Sequence, residues 1–565
     1  MNAPTSKDLR SLAVLGHASS GKTMLTEAML ACSGRIGRMG SIAAGNTVSD
    51  YHASERQHGI SVHCSLLHTD WLGRKLNLLD CPGCGDFLAE GLGAMRVCDS
   101  ALITIHAAHG LGIGTDAAWD YCTHFGLPKV IVVNALDKAH VDFDAVLAEA
   151  RAHFGRNVFP LTLPLDAGPG FSRVLDVMRN DVAVYRPGGT GAYAEEPAGA
   201  LTDRVQALHR ELIEYVAESD DGLMERFFEK GLLTEAEFRA GLHQAIQRQV
   251  VVPLFAVSAE TNVGVARLLD FIARYGSSPL DRAEVPARDA GGLPGTLPLD
   301  HPEPVAFVFK TMNEPGVGEL SLFRVFAGTV RTGDELLNTT RGGTERMGQL
   351  YVLNGHERTP VASLRAGDLG AVVKLRHTHT GDTLCSQRFP VSLPKVDYPR
   401  PNIHAALRLR SKGEEDKLAT GLAMLHLEDP TFHYRVDDEV HQTIASGQGE
   451  IHLQVIVERL ARRFGVQVTL EEPAIPYRET IRGRAESRYR HKKQTGGAGQ
   501  FAEVWMRIEP AARDHGVEFT ESLVGNNVDR GFVPSVQKGV ATACREGVLA
   551  GFRVTDVKVD FFDGK

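Results

Sequence analysis

Several things are scarce in this chain, and each shortage removes a class of protein. Cysteine is scarce: eight in 565 residues cannot build a disulfide scaffold, so they read as reduced thiols of a cytoplasmic protein. Long apolar runs are missing, since no stretch approaches the ~18 residues that a membrane helix needs. The opening MNAPTSKDLRSL has no apolar core of the signal-peptide kind. Basic charge is not in excess: 61 Lys and Arg stand against 70 Asp and Glu, a net charge of -9. A uniformly basic coat is therefore excluded, and any RNA-binding surface must be local. Disorder over the whole length is excluded by a hydrophobic fraction of 43% and a charged fraction of 23%. Internal repeats and low-complexity tracts are absent as well. Glycine, by contrast, is plentiful at 58 residues, above the usual ~7% share, which indicates many tight turns. At about 150 residues per domain, the length allows roughly four domains.

The pattern along the chain divides it. Residues 1–280 alternate short apolar strands with helical stretches, as in an α/β parallel sheet. The strands are Leu12–Leu15, Leu76–Leu79, Ala101–Ile105, Val130–Val133 and Leu254–Val257. An acidic helical segment interrupts this order over about 159–252 and reads as an inserted subdomain with a solvated face. Residues 281–304, rich in proline, read as a linker. Short β-rich runs over 305–392 suit a β-barrel. Residues 398–476 run strand, helix, strand, helix, strand and predict a small α+β domain of the split βαβ kind. A last domain fills 478–565.

Chemistry concentrates in the first domain. Gly16-His17-Ala18-Ser19-Ser20-Gly21-Lys22-Thr23 follows a strand and opens a helical pattern. That is the setting a phosphate loop needs: backbone N–H groups wrap phosphates at a helix N-terminus, Lys22 reaches the terminal phosphates and Thr23 ligates Mg²⁺. Asp80-Cys81-Pro82-Gly83-Cys84 follows the next strand, so Asp80 can reach Mg²⁺ through water and the Gly83 N–H can meet a γ-phosphate. Asn134-Ala135-Leu136-Asp137 and Ser258-Ala259 each follow a further strand. The Asp137 carboxylate can accept the N1–H and amino group of guanine, and a backbone N–H of Ser258-Ala259 can meet its O6. Four such pieces in order predict a GTP/GDP site. Cys81-Pro82-Gly83-Cys84 also has C-x-x-C spacing, but no thioredoxin-type order surrounds it, and a redox role is set aside. His377 and His379 read as surface histidines of a barrel loop.

On these motifs the chain resembles the translational GTPases of the elongation factor G family, in particular its elongation-factor-G-like paralogues. The likeness extends through Glu428–Phe432, Gly447–Leu453, Pro476–Ile481, Gln494–Phe501 and Gly547–Phe552. It implies a P-loop GTPase domain with an insertion, a β-barrel, a ferredoxin-like third domain and a fourth domain reaching the ribosome. It further implies GTP/GDP and Mg²⁺ as cofactors, Mg²⁺ being held by Thr23, Ser61 and Asp80, a ribosomal partner (rRNA and proteins), no membrane and a monomer. Three departures bear on mechanism. Cys84 stands where the family has the histidine that orients the attacking water. Ala135 replaces a lysine whose stem covers the guanine. His58-Gly59-Ile60-Ser61 replaces R-G-I-T, with Ser61 keeping an oxygen for the metal. Two functions follow: a GTP-hydrolysing elongation factor, in which Lys22 and position 84 are catalytic, or a GTP-dependent ribosome-binding factor with little hydrolysis.

The densest basic stretch, Arg478–Ala498, contains Arg488, Arg490, Lys492 and Lys493 and runs into Gln494 and Gln500. Contact with RNA phosphates is the reading that the resemblance favours over a merely solvated strand. Val557, Val559 and Phe561 alternate as a strand, and Asp563-Gly564 signals a turn. The expectation is a strand without its hairpin partner, an exposed edge and a fourth domain that is truncated.

Overall fold

Leu9–Gly16 (β1), eight consecutive buried residues, is a strand covered on both faces. The computed structural model, which describes residues 4–186, 188–231, 233–314, 316–493 and 499–565, builds a seven-stranded sheet around it. The others are Ser65–Trp71 (β2), Arg74–Asp80 (β3), Ser100–His106 (β4), Lys129–Asn134 (β5), Val158–Pro160 (β6) and Val252–Ala256 (β7). Their order is β2-β3-β1-β4-β5-β7-β6. All pair in parallel except β2, which runs antiparallel to β3. The five expected strands are all present. β2 was not foreseen, because as an edge strand with the polar residues His68, Thr69 and Asp70 it lacks a continuous apolar run.

The insertion forms a four-stranded sheet, with Tyr193–Pro197 at one edge and Thr162–Pro164 at the other. Helices Thr202–Glu218, Asp221–Lys230 and Glu235–Gln247 accompany it. Leu212 and Val216 of the first of these helices are fully buried. The last of these helices is tied to the 3₁₀ turn Pro279–Asp281 by His243 Nε2 and Asp281 Oδ1 at 2.9 Å. That hydrogen bond raises the His243 pKa. A raised histidine pKa contributes stability that is whole below about pH 6.5 and fades as pH climbs through the folded value. The melting-temperature advantage of wild type over His243→Ala is therefore expected to shrink between about pH 6 and pH 8. An advantage that grows over that interval would contradict the pairing.

The proline-rich stretch read as a linker is instead an ordered hairpin, Glu284–Asp289 with Pro294–Pro298. Val285 and Leu297 bury its inner face. Strand patterning is hidden there because prolines occupy pairing positions of short strands. Eight strands between Val305 and Cys385, with Val305–Glu314 and Gly318–Ala327 near the middle, form the barrel sheet. Two buried ion pairs join it to the GTPase domain. Arg324 donates to Val97 O and, at 2.6 Å, to Asp99 Oδ1, and Lys75 reaches both oxygens of Asp368 at 2.7 and 2.9 Å.

The chain forms two compact units, Met1–Ile403 with Ser411–His433 and Ser446–Gln467, and His404–Arg410 with Tyr434–Ala445 and Val468–Lys565. The third domain has one strand more than expected between its two helices, the order being Ile403–Leu409, Glu415–Glu428, His433–Asp437, Gln442–Gly447, Glu450–Arg459 and Val468–Glu471. Its four strands form one sheet.

The last domain corrects the sequence reading. Its sheet runs Ala485–Lys493 (β8), Gln500–Pro510 (β9), Val557–Gly564 (β11) and Val517–Glu521 (β10), in that spatial order. β11 is antiparallel to β9 and parallel to β10. The strand expected to be an unpartnered edge is thus interior, with Val557, Val559 and Phe561 at 1–4% exposure. Asp563 and Gly564 continue it rather than turning. Its partners lie tens of residues upstream, one of them reached through the crossover helix Val533–Glu546, and a local turn signal carries no trace of them. Among the described residues no helix is long and apolar enough to cross a membrane.

Candidate functional site

A cavity of about 380 Å³ opens at the C-terminal ends of β1, β4, β5 and β7, where parallel sheets place their ligand sites. Its floor is the loop Ala18–Lys22 and the first turn of helix Lys22–Cys32 (α1). The loop's path depends on residues that tolerate left-handed backbone: Ser19 has φ 62° and Gly21 φ 87°. A Cβ at Gly21 would also come within 2.2 Å of Asn134 Nδ2. Lys22 is buried, donates to His17 O at 2.8 Å, and has its pKa lowered by burial, against which Asp80 acts. Gly83 lies so close that a Cβ would meet Lys22 Nζ at 2.1 Å and the carbonyls of Gly16 and His17 at 2.7 and 2.8 Å. Only glycine fits there.

The far end is stitched by Asn134. Its Nδ2 donates to Ser20 O at 3.1 Å and its Oδ1 accepts from the Ala259 N–H at 2.9 Å. Ser258 donates to Asp137 Oδ1 at 2.7 Å, and Lys138 lies 3.2 Å from Asp137 Oδ2. Asn134 therefore fixes the phosphate loop and Ala259 relative to one another, and Ser258, next to Ala259, holds Asp137.

The metal-ligand candidates also converge. Thr23 Oγ1 and Ser61 Oγ are 3.2 Å apart. Asp80 is buried, its Oδ1 has no hydrogen-bond partner, and its pKa is pushed up to about 7 by burial and the nearby Asp50 carboxylate. A buried carboxylate oxygen without a partner beside two hydroxyls fits an oxygen-seeking divalent cation. Among the described residues no group of three His, Cys, Asp or Glu side chains could hold a metal, so a cation here depends on those hydroxyls.

Of the residues singled out from sequence, Ala18, Ser19, Gly21, Lys22, Thr23, Ser61, Gly83, Cys84, Asn134, Ala135, Asp137 and Ala259 line the cavity. Gly16, His17, Ser20, Asp80, Cys81, Pro82, Leu136 and Ser258 do not line it and stand behind it. Cys81 pairs with neither Cys84 nor the cavity: its thiol lies 3.6 Å from that of Cys64. Gly59 and Ile60 of the His58–Ser61 motif also line the cavity, and missed residues are Met24, Ile42, His106, Lys138 and Glu260. Lys138, the residue after Asp137, lies on the wall beside Ala135.

Cys84 has distinctive surroundings. With Ile60 and Ile451 it packs on a buried apolar cluster of Val62, Phe87 and Val455. Around it, the segment carrying Ser61 is docked on the helix Glu450–Arg459: His58 Nε2 and Gln57 Nε2 each reach Glu458 Oε1 at 2.9 Å. The segment after Cys84 is held likewise, since Asp86 Oδ2 accepts from the His452 N–H at 3.1 Å. A side chain at Gly449 would strike the Asp86 carboxylate at 2.2–2.4 Å.

In the last domain, Arg488, Arg490, Lys492 and Lys493 lie on the exposed edge strand β8. Arg490 is paired to Glu503 at 2.6 Å, and Arg488 sits 5.3 Å over the Trp505 ring. Gln500 faces Lys493 across the ladder and contacts His491 at 3.1 Å. Gln494 lies outside the described residues.

Comparison with known proteins agrees along the length. Residues 7–278 match the elongation factor Tu GTP binding domain, 303–387 elongation factor G domain 2, 398–472 elongation factor G domain III and 473–565 elongation factor G domain IV. A crystal structure of a protein from Thermus thermophilus matches with a TM-score of 0.85 at 32% identity, over 99% of this chain and 81% of that one. With a P-loop GTPase domain followed by the sheet-rich and α/β domains of that series, the chain is a GTPase and belongs to the elongation factor G family.

Proposed function

We propose that the chain binds GTP and GDP, with guanine selected over adenine, and acts on the ribosome as an elongation-factor-G-type protein whose GTP hydrolysis is slow. The observation that carries this is the convergence of Lys22, Gly83, Asn134 and Asp137 on one cavity, with Cys84 on its wall. Lys22 and the Ala18–Gly21 backbone hold the phosphates, and Asp137 accepts from the base. Thr23, Ser61 and Asp80 would hold Mg²⁺, which neutralises phosphate charge when bound. Arg488, Arg490, Lys492 and Lys493, with Gln494 and Gln500, supply contact with ribosomal RNA.

A second reading, a GTP-dependent ribosome-binding factor with little or no hydrolysis, is favoured by the apolar setting of Cys84. A thiol packed on Val62, Phe87 and Val455 contributes to the joint between nucleotide loops and third domain, and does not offer imidazole nitrogens to water. Phosphate release with saturating ribosomes separates the two. Slow turnover above the ribosome-free rate supports the first reading. Nucleotide-dependent association without release supports the second, and no association with ribosomes in any nucleotide state rejects both. In competition titrations GDP should outcompete ADP by at least about a hundredfold, since Asp137 can accept both edge donors of guanine whereas adenine turns an unprotonated N1 toward it. Equal affinities would end the guanine assignment.

A further inference from the structure

We propose that His106 covers the guanine base in place of the lysine that the Asn134–Asp137 motif lacks, and so positions the nucleotide without selecting it. The proposal rests on the nucleotide reading of the cavity.

His106 is the last residue of β4 and lies on the cavity wall with Ala135, Asp137 and Lys138. Register puts it beside the motif: β4 pairs in parallel with β5, and His106 stands opposite Asn134. The Ala107 N–H then donates to Asn134 O at 2.8 Å, fixing the two strand ends together. On the β5 side the chain turns through Ala135 with φ 64°, and a methyl group is all that position offers to a base.

The imidazole is held for the task. Its Nδ1 accepts the Ala108 N–H at 3.1 Å, which leaves the proton on Nε2. Its ring is stacked on His109, centroids 4.4 Å apart and planes 28° from parallel. Burial, helped by the neighbouring His109 and Lys138, lowers its pKa, so the ring is neutral at pH 7. The cavity thus receives a flat, uncharged aromatic surface backed by a second one. Purines stack on such surfaces whatever their edge substituents. Lys138 is committed elsewhere, to Asp137 at 3.2 Å and to Glu260 at 2.5 Å. Base cover and base identity are therefore carried by separate groups, His106 for the first and Asp137 for the second.

The test uses the full chain, stripped of nucleotide and titrated calorimetrically with GDP and ADP. His106→Ala should weaken GDP about tenfold, in the range of one lost base–aromatic stack, while the GDP to ADP ratio stays as in wild type. His106→Phe should keep wild-type affinity. Ala135→Lys should restore affinity in the His106→Ala background yet add little on its own. In NMR spectra the carbon-bound ring protons of His106 should shift on GDP addition, a ring-current signature that a merely structural histidine would not give. Wild-type GDP affinity in a folded His106→Ala protein, or unshifted His106 protons at saturating GDP, would overturn the proposal. Should His106→Ala fail to fold, a large affinity loss in His106→Phe would overturn it too. Absence of GDP binding by wild type would take down the nucleotide reading, and this proposal with it.

Discussion

Cys84→His should raise single-turnover GTP cleavage on saturating ribosomes by about a hundredfold or more, with little change in GTP affinity. In phosphoryl transfer to water, catalysis comes almost wholly from positioning and charge placement, and one preorganised polar group is worth about 10²–10³ in rate. Cys84 lies on the cavity wall next to Gly83, where such a group must stand, but its thiol is short and packs on Val62, Phe87 and Val455. An imidazole there reaches further and offers two nitrogens. A gain in rate without a gain in affinity is the mark of an interaction made chiefly in the transition state. If wild type already cleaves as fast as the histidine variant under these conditions, position 84 is not the limiting defect. The second reading would then lose its main support.

Arg324→Met should cost the GTPase–barrel unit about 3–5 kcal/mol, the usual loss when one partner of a buried ion pair is removed. Arg324 and Asp99 are each 4% exposed, and one Asp99 oxygen has no partner even in wild type. Burial raises the Asp99 pKa and the Arg324 charge opposes that rise. Without the arginine, the folded state favours the protonated acid more strongly. Its stability then falls as pH rises above the unfolded carboxyl value near 3.9, so the deficit should narrow on acidification from about pH 7 to pH 5. Adding Asp99→Leu should recover most of the loss, because an apolar pair needs no desolvated charge. Urea melts of the three proteins at both pH values decide it. A deficit below about 1 kcal/mol, or one that widens in acid, would show that the pair does not bear on stability.

What could be read without coordinates was local. Lys22, Asp80, Asn134 and Asp137 are legible because each follows a buried apolar strand, and strand, turn and polar residue are contiguous in sequence. Asp50, which helps push the Asp80 carboxyl up to about 7, gave no signal, since its role depends on a distant segment folding back. His106 was equally silent: a strand-end histidine has no motif, and only the β4–β5 register sets it beside Ala135. The hairpin 284–298 and the interior position of β11 were misjudged for one reason. Proline content and Asp-Gly turns report what a residue does to its neighbours, whereas these strands are defined by partners far along the chain.

The interior place of β11 also bears on how the last domain is made. During synthesis β8, β9 and β10 leave the ribosome before residues 557–564 do, and with β11 missing, β9 has one row of N–H and C=O groups unmatched and β10 has no partner strand. The apolar residues Met506, Ile508 and Phe519, which pack against Val557 and Val559, stay uncovered over the same interval. Non-local pairing is slow, and nascent intermediates with bare strand edges are the ones that associate wrongly. This sheet is therefore the part of the protein for which the pace of translation, and any chaperone waiting at the tunnel exit, should matter most to yield.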